Sequence, residues 1–279
     1  MPKISSNGIE INYVDAGRGE PLVLVHNIIA SSKMFDFNIP VLSKHFRVIS
    51  PDLRGHGQSS KPESKSEYSF DILAEDLHAL LGELKIDSCY LLGQAAVGVG
   101  AIFTFYMKYP QMVKALIPVS GSTLAQPPLA AGEMPRVNEA FERMREAART
   151  GGMMAALEER KTSMLFWIDK TLNTPAIYDR FEEMYRQTEV TAFLSLPEPP
   201  NEEQRQKLIR QYKSKPVPTM LLLGMSDTNP ENSIQGMKQI CPDLHAVLLP
   251  ESGHYPAIEN PEDFNRAVLN FIAGVRSYN

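Results

Sequence analysis

The stretch Cys89-Tyr90-Leu91-Leu92-Gly93-Gln94-Ala95-Ala96-Val97-Gly98-Val99-Gly100 constrains this chain more than any other. Its apolar start reads as a short buried strand and its small residues as a sharp turn. The run on to Tyr109 reads as a helix stopped by Pro110. Strand and helix nearly touch at such a turn, so small residues are demanded there. The residue at its centre is held in a strained backbone conformation.

The surrounding chain repeats this alternation. Residues 8–15 alternate apolar and polar as a half-exposed strand, and Leu22-Val23-Leu24-Val25 is a continuous apolar run, as in a central strand buried on both faces. A helix is predicted from about Met34 to Lys44 and a strand at Phe46–Ser50, followed by the glycine- and charge-rich loop Pro51–Ser60. Ser69 is a suitable N-cap for a helix over 70–85, whose stripe is Phe70, Leu73, Leu77, Leu80, Leu81 and Leu84. Lys114–Ser120 reads as the strand after the turn helix. Strands alternating with amphipathic helices call for an α/β fold with a mainly parallel sheet covered on both faces.

Between residues 121 and 215 no strand pattern is found. Helical patterns there are broken by Pro127-Pro128, Gly151-Gly152 and Pro197-Glu198-Pro199-Pro200. The alternation resumes with Thr219–Gly224, a helix around Asn232–Ile240 and a strand at Ala246–Leu249. A last helix starts at Pro261 behind the cap Asn260, with Phe264, Ala267, Val268 and Phe271 facing inward. The domain reading is a core of residues 1–120 and 216–279 interrupted by a helical insertion over 121–215.

At 279 residues the chain is ample for a sizeable core, and 43% hydrophobic with 22% charged residues is an ordinary globular balance. A net charge of −5 gives no reason to expect nucleic acid or an anionic membrane as partner. The start Met1-Pro2-Lys3-Ile4-Ser5-Ser6 lacks the pattern of a secretory signal, and no apolar run is long enough to span a bilayer. Cys89 and Cys241 are far apart, without metal-ligand spacing, and fit a reducing cytoplasm.

Five stretches, in order, resemble the α/β-hydrolase family, particularly its enol-lactonase and C–C hydrolase members with a helical cap. They are Leu24-Val25-His26, the loop Asp52–Ser59, the turn at Gly93–Val97, Leu223-Gly224-Met225-Ser226-Asp227, and Gly253-His254-Tyr255-Pro256 continuing through Glu259-Asn260-Pro261 to Phe264. Together they span nearly all of the chain outside 121–215, which the resemblance makes a cap over the active site. The family's nucleophile elbow is Gly-x-Ser-x-Gly. Laid over it, Gly93 takes the first position, Gln94 the second, Ala95 that of the serine and Val97 that of the last glycine.

The resemblance implies a triad in the order nucleophile, acid, base, falling on Ala95, Asp227 and His254. Oxyanion donors would be the backbone N–H groups of Ile28 and Ala96. His26-Asn27 stands where the family usually has His-Gly, a departure similar to that of some enol-lactonase-like members. Asp52, Arg54 and His56 form a structural brace in such proteins. Asn27, Gln94, Met164, Trp167 and Tyr255 are assigned to substrate binding, and methionines with Trp167 in the insertion suit a closed, mostly apolar pocket. The implied partner is a small apolar or aromatic molecule, with no cofactor and no metal, in a monomer or homodimer.

Ala95 cannot act as nucleophile, and Ser31, Ser32, Ser122 and Ser226 near strand ends sit on no elbow. Val97 and Asn27 also depart from the family pattern, which favours a natural variant over a single engineered change. Three readings follow. One is a hydrolase of esters, lactones or vinylogous C–C bonds with its nucleophile altered. Another is a cofactor-free oxygenase or lyase with His254–Asp227 as general base. The third is a small-molecule binding protein on a catalytically dead hydrolase fold.

Overall fold

The computed structural model describes residues 2–121, 133–162, 174–195, 201–227 and 229–278. They form an eight-stranded sheet in the order β1-β2-β4-β3-β5-β6-β7-β8. The strands are β1 (Lys3–Ser6), β2 (Ile9–Gly17), β3 (Pro21–Val25), β4 (Arg47–Pro51), β5 (Cys89–Gln94), β6 (Val113–Val119), β7 (Met220–Gly224) and β8 (His245–Leu249). β1 pairs antiparallel with β2, and β2 with β4; every other pair is parallel. The apolar runs of β3, β5 and β7 are buried because helices cover both faces of a parallel sheet.

The helices are α1 (Ile39–Leu42), α2 (Phe70–Glu83), α3 (Ala95–Lys108), α4 (Glu133–Thr162), α5 (Pro175–Arg186), α6 (Val190–Leu194), α7 (Glu202–Ser214), α8 (Pro230–Ile240), α9 (Pro256–Glu259) and α10 (Pro261–Tyr278). Ser69 caps α2 by accepting the Ile72 N–H at 3.2 Å, and Asn260 caps α10 through the Asp263 N–H at 3.3 Å. Phe264 and Val268 are fully buried, with Ala267 and Phe271 packed against the same core. No described helix is long and apolar enough to cross a membrane.

Two local expectations are corrected. The helix predicted from Met34 to Lys44 is split into a 3-10 turn at Ser32–Phe35 and the short α1. Pro40 has no N–H and fits only the first turn of a helix, so α1 starts afresh at residue 39. The chain also begins with a hairpin, Lys3–Ser6 against Ile9–Asn12 around Asn7-Gly8, whose first strand was not expected.

Helices α4 to α7 lie between β6 and β7 and form the helical cap inserted into the sheet's connectivity. α4 is kinked at Gly152 (φ 76°), the second residue of the glycine pair read as a break. Met144, Met153 and Met184 of this region are buried packing residues.

Candidate active site

The turn between β5 and α3 is an elbow in the physical sense. Ala95 has φ of 51°, a left-handed conformation that residues other than glycine rarely adopt. Strand and helix meet at Gly93 and Gly98: a methyl group on Gly93 would lie 2.3 Å from the Gly98 carbonyl oxygen. Gly98 supplies the close approach on the helix side, where an added methyl would lie 2.6 Å from the Val25 carbonyl oxygen. Val97, at the position of the motif's last glycine, is buried in the first turn of α3. Ala95 is buried, whereas Ala96, at the start of α3, is exposed.

Asp227 and His254 follow β7 and β8, at the same carboxyl edge of the sheet. His254 Nδ1 lies 3.1 Å from Asp227 Oδ1. A proton donated from Nδ1 to the carboxylate fixes the tautomer and leaves the Nε2 lone pair as the basic site. The two loops are joined through the main chain, since Ser226 N–H donates to Ser252 O at 2.9 Å and Met225 N–H to Leu249 O at 2.8 Å. Asp227 is thus a partnered acid and not a solvated turn residue.

His254 is held through its backbone as well. Gln94 Nε2 donates to the His254 carbonyl oxygen at 2.7 Å, and Glu259 Oε2 accepts the N–H groups of Gly253 at 2.6 Å and Tyr255 at 3.4 Å. Gln94 is fully buried, so its amide lies under the elbow with its nitrogen committed to His254. Tyr255 is also buried, with its ring edge-on to His254 and to Phe181 of the inserted α5.

Residues 26–32, after β3, are braced by the loop 52–59. Leu53 N–H donates to His26 Nε2 at 2.9 Å, and His26 Nδ1 donates to Asn27 O at 2.6 Å. Ser32 N–H donates to Asp52 Oδ1 at 2.7 Å, and His56 Nε2 contacts the Ile28 carbonyl. Asp52 also accepts from Asn12 Nδ2 and Gln58 N–H, while Arg54 forms a bidentate pair with buried Asp76 at 2.7 and 2.8 Å. The brace role expected of Asp52, Arg54 and His56 is visible in these bonds. Burial pushes the His26 and His56 imidazoles down from their ordinary pKa. Asn27 Oδ1 lies 3.5 Å from the Val97 N–H, which sets its side chain against the first turn of α3.

Ser31 caps the 3-10 turn and Ser32, its first residue, is buried. Met164, Trp167 and Ser122 lie outside the described residues. One buried group was not singled out from the sequence: Arg160 of α4 donates to Tyr185 Oη and Tyr255 Oη at 2.8 Å each. Its guanidinium ties the insertion to the residue next to His254.

Comparison with known proteins agrees with this geometry. Residues 20–261 match the family described as the alpha/beta hydrolase fold. The 2-hydroxy-6-oxo-6-(2'-aminophenyl)hexa-2,4-dienoic acid hydrolase of Metapseudomonas resinovorans is 26% identical over 97% of this chain and 90% of its own length. A thermophilic esterase from Thermogutta terrifontis superimposes with a TM-score of 0.81 at 25% identity, covering 98% of either chain. The enol-lactonase from Burkholderia xenovorans LB400 shares the fold with a TM-score of 0.76 at 22% identity, over 98% of this chain and 100% of that one. With an elbow on β5, an acid after β7 and a histidine after β8, this chain belongs to the α/β-hydrolase fold family.

Proposed function

We propose that this chain is a hydrolase-type enzyme for a small apolar or aromatic ester, lactone or vinylogous C–C substrate, in which His254 is the general base and no acyl-enzyme forms at residue 95. The observation that carries this reading is the His254–Asp227 pair at 3.1 Å, at the same sheet edge as the left-handed elbow. Alanine at the centre of the elbow removes the hydroxyl that such a base would deprotonate. Water then takes the serine's place.

In the proposed step, a water oxygen adds to the substrate carbonyl carbon while its proton passes to His254 Nε2, and Asp227 stabilises the imidazolium. The carbonyl π electrons move to oxygen, and the oxyanion accepts hydrogen bonds from the N–H groups of Ile28 and Ala96. Collapse re-forms the carbonyl and breaks the bond to the leaving group, which takes the proton back from His254. Nothing in this sequence of steps asks for a cofactor or a metal.

The division into a 1–120 and 216–279 core under a 121–215 cap is part of the proposal. It is supported by ion pairs of Lys33 with Glu183 and of Asp36 with Arg180, and by the Glu189 N–H bond to Gly55 O at 2.7 Å. These contacts bind α5 and the start of α6 to the loops at the active-site edge. Asn27 and Tyr255 fit the substrate-facing role by position, and the buried free thiols of Cys89 and Cys241 suit a reducing cytoplasm.

The test is steady-state hydrolysis of an aryl-ester and lactone panel by the wild-type chain and by His254→Ala. Slow, burst-free turnover that falls about 10²- to 10⁴-fold in His254→Ala is the expected result. A pre-steady-state burst with a covalent adduct would contradict it. His254-dependent turnover of a non-hydrolytic kind would move the assignment to the oxygenase or lyase reading. Binding of aromatic ligands with no turnover at all would move it to the binding protein.

A further inference from the structure

The triad logic places a histidine by its bond to the acid alone, but here the main chain on both sides of His254 is held by two buried polar side chains. We propose that Gln94 and Glu259 are positioning residues that clamp His254 for its role as base; this rests on the general-base reading above. The carbonyl of residue 254 accepts from Gln94 Nε2 at 2.7 Å, while Glu259 Oε2 accepts from the N–H of residues 253 and 255. The 254–255 peptide is thereby held at both ends, its carbonyl from the elbow and its N–H from the helical turn after it, and the same carboxylate holds the N–H of residue 253.

The energetics of Gln94 argue against a merely structural role. It is fully buried, and its Oε1 has no hydrogen-bond partner among the described residues. An amide left half-satisfied in the core is a net cost, and a leucine of similar volume would avoid it. What the glutamine supplies that leucine cannot is the donor to the His254 carbonyl. Because Gln94 immediately precedes Ala95, the base is registered directly on the elbow. That link is present although residue 95 carries no hydroxyl. Glu259 is buried as well, and one of its carboxyl oxygens receives both N–H groups.

The experiment is proton–nitrogen NMR on the full-length chain labelled with ¹⁵N-histidine, following the Nδ1–H signal of His254, with turnover measured in parallel. The variants are Gln94→Leu, Gln94→Met, Glu259→Gln and Glu259→Leu. In Gln94→Leu the His254 Nδ1–H should exchange with solvent about tenfold faster or more, while the His26 signal stays unchanged as an internal control. kcat should fall about tenfold with KM unchanged, as for loss of orientation. Gln94→Met provides the same comparison if the leucine variant folds poorly. Glu259→Gln, which keeps one acceptor oxygen, should lie between wild type and Glu259→Leu. A His254 Nδ1–H signal identical to wild type in a folded Gln94 variant would overturn the clamp. Turnover insensitive to His254→Ala would overturn the general-base reading instead, whatever the NMR shows.

Discussion

Gly224 and Ser252 approach so closely that a methyl group on Gly224 would lie 2.3 Å from the Ser252 carbonyl oxygen. This contact, with the Ser226 N–H bond to Ser252 O at 2.9 Å, brings the loop carrying Asp227 against the loop carrying His254. The juxtaposition of Asp227 and His254 thus rests on backbone packing as well as on their side-chain bond. Gly224→Ala should therefore destabilise the fold by about 1–3 kcal/mol through overpacking. It should also lower His254-dependent turnover more than that loss of stability explains. Urea unfolding alongside steady-state kinetics checks this; a Gly224→Ala chain with unchanged stability and turnover would contradict it.

The brace under residues 26–32 depends on the buried Arg54–Asp76 pair, which also accepts Ser6 Oγ at 3.1 Å and reaches Glu67 O at 3.1 Å. Removing one partner leaves an uncompensated buried charge. Arg54→Met is expected to cost about 3–5 kcal/mol, and adding Asp76→Leu should recover part of it. A double-mutant cycle by urea unfolding gives the coupling, and strictly additive losses would contradict a paired role.

Acid should destabilise this protein from a higher pH than its carboxylates alone imply. His26 and His56 are buried with depressed pKa values, so the unfolded chain takes up their protons first. Their stabilisation is fully present above the ordinary histidine pKa of about 6.5 and is lost as the pH falls below it. Each contributes a slope of up to about 1.4 kcal/mol per pH unit in that window. His56→Gln should flatten the unfolding free energy between about pH 6 and pH 5 by up to that amount. An unchanged slope would show that His56 titrates alike in both states.

Much of this fold was legible because its signals are local. Apolar runs mark β3, β5 and β7, and the positions of Asp227 and His254 follow from the short motifs at the ends of β7 and β8. The split of the 34–44 helix turned on Pro40, visible in the sequence but outweighed there by the apolar pattern. That Gly98 is the residue touching the strand at Gly93 was not legible, because spacing alone does not say which small residue makes the contact. Bonds from Gln94 to the His254 carbonyl, and from Arg160 to Tyr255, join residues 160 and 95 positions apart. No local pattern announces such contacts, since each depends on where the chain has been brought by everything between.

In the proposed site, residue 95 occupies a nucleophile position served by His254 and lacks only the hydroxyl. The elbow keeps its left-handed φ and its Gly93–Gly98 contact, so a serine installed there inherits the geometry. The direct measurement is intact-mass spectrometry after exposure to a fluorophosphonate, with wild type, Ala95→Ser and Ala95→Ser/His254→Ala compared. The expected result is one adduct, on residue 95 of the Ala95→Ser chain, with none on wild type and labelling slowed by about 10²-fold or more without His254. An adduct on the wild-type chain, or a folded Ala95→Ser chain that resists labelling, would contradict it.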